Sequence, residues 1–223
     1  MHKILLVVGL STFLMTGLLQ AEETQKAVAK ADGVYLGLGG GVTFNVAYLS
    51  TGYYQDDTST YTDGSLSDSS AGYIVYGGYQ FNKIIAVEAA YTDYGSFSDT
   101  LTSSGINPKT STFTSDPTSF SVYANAGYTF ANGLRPFGQI GLGYVMINGS
   151  GTTNGLDIDD GVSMRFGLGL EYAAPALAGF GFRVAYIDEL QMDATYTSYD
   201  NGDKSTLFMN VNGMLYIGAQ YKF

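Results

Sequence analysis

From Val34 onward, apolar and polar positions alternate with period two. Val34, Leu36, Leu38, Val42, Phe44, Val46 and Tyr48 share one parity. Tyr35, Gly37, Gly39, Gly41, Thr43, Asn45 and Ala47 hold the other. One face is greasy and the other small or polar, the mark of a strand between two different environments. The last stretch is the clearest, with Leu207, Met209, Val211, Gly213, Leu215, Ile217, Ala219, Tyr221 and Phe223 on one face. The same reading predicts six further strands, over residues 71–81, 84–94, 118–130, 135–148, 161–173 and 179–190. That makes eight.

The connections alternate as well. Short turns fall near Asn82-Lys83, Asn132-Gly133 and Ala174-Pro175, and long connections over 50–70, 95–117, 148–160 and 189–205. Short turns at one end and long loops at the other suit a strand meander closed across a membrane. The predicted strands reach or exceed the roughly 9–11 residues that a tilted strand needs to cross a bilayer. A soluble, lipocalin-like barrel is the competing architecture, and it would turn the apolar parity inward. Here the other parity is rich in glycine and poor in charge, and closed strand pairing is how a sheet survives in lipid. The predicted fold class is all-β: an eight-stranded antiparallel up-and-down transmembrane β-barrel over 33–223.

Composition narrows the function. Charged residues are 13%, against about a quarter in an average chain. The absence of cysteine removes disulfides and thiolate metal sites. A formal net charge of −10 argues against nucleic acid as a partner. Residues 1–21 read as a secretory signal, with His2 and Lys3 as the basic start, an apolar stretch from Ile4 to Leu19, and Ala21 as the cleavage position. A retained inner-membrane anchor is the alternative. Residues 22–32 form a short periplasmic leader. Processing would remove His2, the sole histidine, and with it the commonest general base. No catalytic residue, cofactor or metal site is assigned, and the chain is not expected to be an enzyme.

Three stretches carry a family resemblance. They are Gly77-Gly78-Tyr79-Gln80-Phe81-Asn82 running into Val87-Glu88-Ala89-Ala90-Tyr91, then Gly169-Leu170-Glu171-Tyr172-Ala173, and finally Tyr216 to Phe223. Together they resemble the eight-stranded outer membrane protein A and X superfamily. The resemblance implies residence in the bacterial outer membrane and contact with its lipid and lipopolysaccharide. It also implies delivery by periplasmic chaperones to the barrel assembly machinery, for which Ile217, Ala219, Tyr221 and Phe223 look like the sorting signal. A monomer is expected. Outer membrane protein A proper continues into a peptidoglycan-binding domain, and that anchoring role is not expected from 33–223.

Inward parity assigns few charges to the wall: Glu88, Arg165, Glu171 and Arg183. A register pairing 172 with 182 would set Glu171 beside Arg183. By the resemblance, Glu88, Glu171 and Arg183 correspond to members of a charged gate across the lumen, whereas Asn125 and Gln139 replace a lysine and an arginine of that family. The four charged residues form either a gate or a sealed salt-bridge plug, since eight strands leave a lumen just wide enough for side chains. Fifteen of the 20 carboxylates fall in or beside the long connections, Asp188 and Glu189 among them. The segment Leu156-Asp157-Ile158-Asp159-Asp160-Gly161 offers oxygen ligands, but it lacks the spacing of a helix-loop-helix calcium site and reads as a solvated anionic loop. Two roles compete: a barrel supporting envelope integrity with a narrow gated pore for small solutes, and an adhesin presenting acidic, tyrosine-containing loops to a host or surface ligand.

Overall fold

The computed structural model describes residues 32–55, 58–102, 110–151, 160–173, 175–199 and 202–223. The signal segment and most of the leader lie outside them, as do residues 156–159 of the acidic loop. Nine strands follow in order: β1 (Gly33–Gln55), β2 (Thr58–Gln80), β3 (Ile85–Asp93), β4 (Phe97–Thr102), β5 (Thr110–Gly127), β6 (Leu134–Gly151), β7 (Gly161–Tyr172), β8 (Phe180–Tyr199) and β9 (Gly202–Lys222). All pairings are antiparallel between neighbours, and β1 also pairs with β9, from Tyr35↔Lys222 to Tyr54↔Asp203. Because β3 pairs with both β2 and β5, the sheet closes on itself. The wall is an eight-stave antiparallel barrel.

Nine strands make eight staves because β3 and β4 are two parts of one, and both pair with β5. The ladder stops at Asp93↔Thr118 and resumes at Phe97↔Ser115. Pro117, which has no N–H to give, lies opposite the gap, and its carbonyl accepts from Tyr94 N at 3.1 Å. Gly95 takes a φ of 74° there, in the left-handed region that glycine tolerates.

The short turns sit where the sequence places them. Asn82 Oδ1 accepts from the backbone N–H of Ile84 and Ile85, and Asn132 Oδ1 from that of Leu134. The long connections differ from expectation. Residues 50–55 and 58–70 are ladder, paired down to Gln55↔Thr58, and 189–199 pair with 202–212 down to Tyr199↔Gly202. Threonine and tyrosine in these segments suit strands, so nothing halts the pairing where the apolar face ends.

The faces are inverted relative to a soluble protein. Leu38 and Ile217 on the outer wall are 66% and 70% exposed, while Asn125 and Glu88 are buried inside. A surface this apolar is untenable in water and suited to lipid. Aromatic pairs border it. At the short-turn rim, Tyr79–Phe81, Tyr128–Phe130 and Tyr221–Phe223 meet edge to face at 5.0, 5.1 and 5.0 Å. At the other edge, Tyr91 packs on Phe120 at 5.1 Å. These are the two girdles of a membrane barrel. Inside, glycine makes room for large side chains: a Cβ on Gly37 would lie 2.4 Å from Tyr76 Cζ.

Candidate functional site

The charged residues of the inner face gather at two levels of the lumen, the lower one centred on Arg183. Cross-strand register puts Glu171 on β7 opposite Arg183 on β8. Arg183 Nε donates to Glu171 Oε1 at 2.9 Å, and its Nη2 donates to the same oxygen. The guanidinium also reaches across the lumen, where Nη1 and Nη2 donate to Glu88 Oε2 and Oε1, each at 2.9 Å. Three staves separate β3 from β8 in either direction round the ring, so this ion pair spans the full diameter. It crosses the lumen at that level.

Glu88 is surrounded by donors. Besides Arg183, it accepts from the Tyr35 hydroxyl, from Asn125 Nδ2 at 2.6 Å and from Gln139 Nε2 at 3.3 Å. The two amides stand where the resemblance implied a lysine and an arginine, and here both are neutral donors to Glu88. Arg183 is fully buried, and its Cζ lies 4.1 Å from the Tyr76 ring centroid and 5.0 Å from that of Phe137. Such a buried charge is tolerable only because its partners are present.

A further member comes from β6. Arg135 Nη1 donates to Glu171 Oε2 at 3.2 Å, and Nη2 to the carbonyls of Ile84 and Asn125 at 3.3 Å each. Two carboxylates and two guanidiniums make the cluster formally neutral. Arg135 shares the inward parity of Phe137 and Gln139 but sits at the first position of the expected strand, where the turn obscured its direction.

Arg165 is not part of this cluster. It faces Glu189 across β7 and β8 and donates to it at 2.8 Å from Nη1, with both side chains fully buried. The same Nη1 donates to Ser121 Oγ at 3.2 Å, Ser163 Oγ donates to Glu189 at 3.3 Å, and Arg165 lies 4.4 Å over the Tyr123 ring. Glu189 is thus an inner-wall residue and not a loop acid. It has the parity of Arg183, six positions earlier, and the extension of β8 past 190 carries it into the wall. Farther out, Asn45 Nδ2 donates to Asn210 and Asn212 at 2.8 and 2.7 Å. No group of three metal-ligating side chains occurs among the described residues.

Of the four residues expected to direct assembly, Ile217, Ala219 and Tyr221 lie on the outer face of β9 and Phe223 directly follows it. Ile217 and Phe223 are well exposed, Ala219 pairs with Leu38 and Phe182, and the backbone N–H of Phe223 donates to Val34 O at 2.9 Å. They line the seam where the first and last staves meet.

A family model described as the outer membrane protein beta-barrel domain matches residues 11–223. No curated protein matches the chain. Among solved structures, the outer membrane protein OprG from Pseudomonas aeruginosa superposes with a TM-score of 0.61 at 13% identity, covering 87% of this chain and 99% of its own. Neisserial surface protein A gives a TM-score of 0.45 at 16% identity, over 86% of this chain and 97% of its own. At 13% identity, OprG speaks for the fold alone. The family match spans the whole wall, and the chain belongs to the outer membrane protein β-barrel domain family.

Proposed function

We propose that this outer membrane barrel supports envelope integrity and that its lumen is a closed conduit for small solutes, sealed by the ion pairs of Glu88, Glu171, Arg183 and Arg135. The observation that carries the reading is the bidentate Arg183–Glu88 pair across the barrel diameter. Arg183 and Glu171 occupy neighbouring staves, so their contact leaves the lumen open. The contact with Glu88 shuts it. Insertion proceeds through the barrel assembly machinery, which engages the seam residues Ile217, Ala219, Tyr221 and Phe223. Planar-bilayer recording of the refolded barrel tests the proposal. The wild type is expected to be nearly silent and Arg183→Ala to conduct with a preference for cations. Equal currents from both would end it.

A second reading rests on the hairpins. The β1–β2 and β8–β9 ladders continue well past the apolar band to Gln55↔Thr58 and Tyr199↔Gly202, which suits presentation of a binding surface. Whole-cell adhesion by variants with these hairpins shortened tests it. Unchanged adhesion would remove it.

A further inference from the structure

The wall repeats after four staves. Leu36-Gly37-Leu38-Gly39 on β1 matches Ile140-Gly141-Leu142-Gly143 on β6, and Glu88-Ala89-Ala90-Tyr91-Thr92-Asp93 on β3 matches Arg183-Val184-Ala185-Tyr186-Ile187-Asp188 on β8. The match is closest between the last staves of the two halves. Val122-Tyr123-Ala124-Asn125-Ala126-Gly127-Tyr128-Thr129-Phe130 aligns without a gap with Leu215-Tyr216-Ile217-Gly218-Ala219-Gln220-Tyr221-Lys222-Phe223. Both tyrosines, the second alanine and the terminal phenylalanine of the first segment recur in the second at the same spacing. The second segment holds the four residues expected to direct assembly. The first is a copy of it inside the chain.

The copies are alike in space as well. Val122, Tyr128 and Phe130 are exposed on the outer wall, as are Leu215, Ile217, Tyr221 and Phe223, while Tyr123 and Tyr216 are buried in the lumen. Tyr128 and Phe130 meet with ring centroids 5.1 Å apart and planes inclined by 75°, and Tyr221 and Phe223 do so at 5.0 Å and 81°. The backbone N–H of each terminal phenylalanine donates to the neighbouring stave, Phe130 to Leu134 O at 2.8 Å and Phe223 to Val34 O at 2.9 Å. A girdle alone needs less. Tyr79 and Phe81 end β2 at the same rim with a similar ring pair, but Ile74 and Gly77 stand where β9 has Tyr216 and Ala219.

The place of the copy gives it a role. β5 completes the first four staves, and its edge is free until β6 pairs with it from Gly127↔Phe137 outward to Phe113↔Gly151. A free apolar edge invites wrong pairing. β9 stands in the same state until β1 closes the ring. An extended segment with such an edge is read by strand addition, in which main-chain bonds give affinity and alternate side chains give selectivity. We propose that residues 122–130 are a second docking site for the barrel assembly machinery, which holds the half-built wall at β5 as it holds the completed one at β9. The inference rests on the reading of Ile217, Ala219, Tyr221 and Phe223 as the terminal docking site.

Insertion of the urea-unfolded protein into lipid vesicles, with and without reconstituted assembly machinery, tests this, with heat-modifiable barrel followed over time. Three double variants are compared: Tyr128→Leu with Phe130→Leu, Tyr79→Leu with Phe81→Leu, and Tyr221→Leu with Phe223→Leu. Leucine keeps each position compatible with lipid. With machinery, the β5 variant is expected to insert roughly fivefold more slowly than wild type, the effect of losing one interface anchor. Without machinery it should insert at the wild-type rate. The β2 variant should match wild type in both. Equal slowing of the β5 variant with and without machinery would mean that its ring pair serves the barrel's own folding, and equal slowing of the β2 and β5 variants would mean a girdle. Either result overturns the proposal, as does a wild-type assisted rate for the β5 variant. If that rate is unchanged while the β9 variant slows only with machinery, the terminal site stands and the internal one falls. Assisted slowing at β5 with none at β9 would support the internal site and remove the terminal one.

Discussion

Glu171 faces Arg183 across β7 and β8, and six residues farther out Arg165 faces Glu189 with the charges exchanged. Each of the two staves carries one arginine and one glutamate at the same spacing, so a single register satisfies both pairs. A slip of one residue would turn both charges of the slipped stave toward lipid and leave its neighbour's two unpaired. A slip of two would leave Arg165 opposite Ile187 or Gln191 and Arg183 opposite Gly169 or Ala173. The mirrored pairs therefore specify how these staves meet, whatever passes through the lumen.

The upper pair should show the asymmetry of buried charge. Arg165→Ala strands Glu189 in a buried site and is expected to cost about 3–5 kcal/mol, whereas replacing the pair together by Met and Leu should fall much closer to wild type. Urea unfolding in micelles, followed by circular dichroism, measures both. Wild-type stability in Arg165→Ala would show that Glu189 does not depend on its partner.

The lumen should be equally intolerant of added volume at Gly37. A methyl group there meets the Tyr76 ring well inside contact distance, and overpacking of this kind costs about 1–3 kcal/mol. Gly37→Ala is expected to lower the unfolding midpoint, and Tyr76→Leu to recover part of the loss in the double variant. Additive losses would mean that the two residues do not compete for the same space.

How much of this was readable in the residues depends on what each position faces. Strand parity survives in a barrel because the lipid side accepts only apolar side chains, so Val34, Leu36 and Ile217 announce their direction. Parity also singled out Glu88, Glu171 and Arg183, and the turn at 174–179 implied the register that sets the last two together. It could not show that Arg183 reaches β3 and that Arg165 does not, because separation across the lumen is set by barrel closure and not by local pattern. Glu189 was misplaced because Asp188 beside it puts a charge on the outward parity and masks the alternation that Leu190 and Met192 continue; the outer hairpins were misplaced for another reason. Beyond the membrane both faces of a strand are polar, and alternation disappears while pairing continues.

Assembly should depend on the outer face of β9 more than on its inner face. Deleting Phe223 removes a ring from the Tyr221 pair and the N–H that binds Val34 O, so folded barrel in the outer membrane should fall sharply. Lys222 is at the rim, where its Nζ donates to Gln80 Oε1, and Lys222→Gln should leave the yield nearly unchanged. Heat-modifiable protein in membrane fractions reports both. Equal yields would place the determinant elsewhere.

Orientation can be tested at the hairpin tips. Ser65 pairs with Tyr48 within the β1–β2 ladder, so an epitope there would disturb the sheet. Insertions between Asp56 and Asp57, and between Asp200 and Asn201, leave the described ladders intact. Antibody should reach both on intact cells, because barrels of this family place long connections outside and short turns in the periplasm. Labelling that needs permeabilised cells would reverse the topology.

The two ion-pair levels should respond differently to charge exchange. Arg165 and Glu189 are attended by the hydroxyls of Ser121 and Ser163, and a hydroxyl can donate or accept. Exchange to Arg165→Glu with Glu189→Arg can therefore be accommodated, with the Tyr123 ring contact as the main loss. At the lower level one neighbour is committed. The Tyr35 hydroxyl and the Asn125 and Gln139 amides donate to residue 88 but can turn acceptor, whereas Glu171 only accepts at residue 183. A glutamate at 183 would meet another carboxylate. Glu88→Arg with Arg183→Glu is thus expected to conduct like Arg183→Ala and to lose stability, while the upper exchange stays closed and largely stable. Current and urea midpoint for both double variants decide the matter. Recovery of a silent, stable barrel by the lower exchange would mean that the Glu171 carboxylate does not commit residue 183 to a cation.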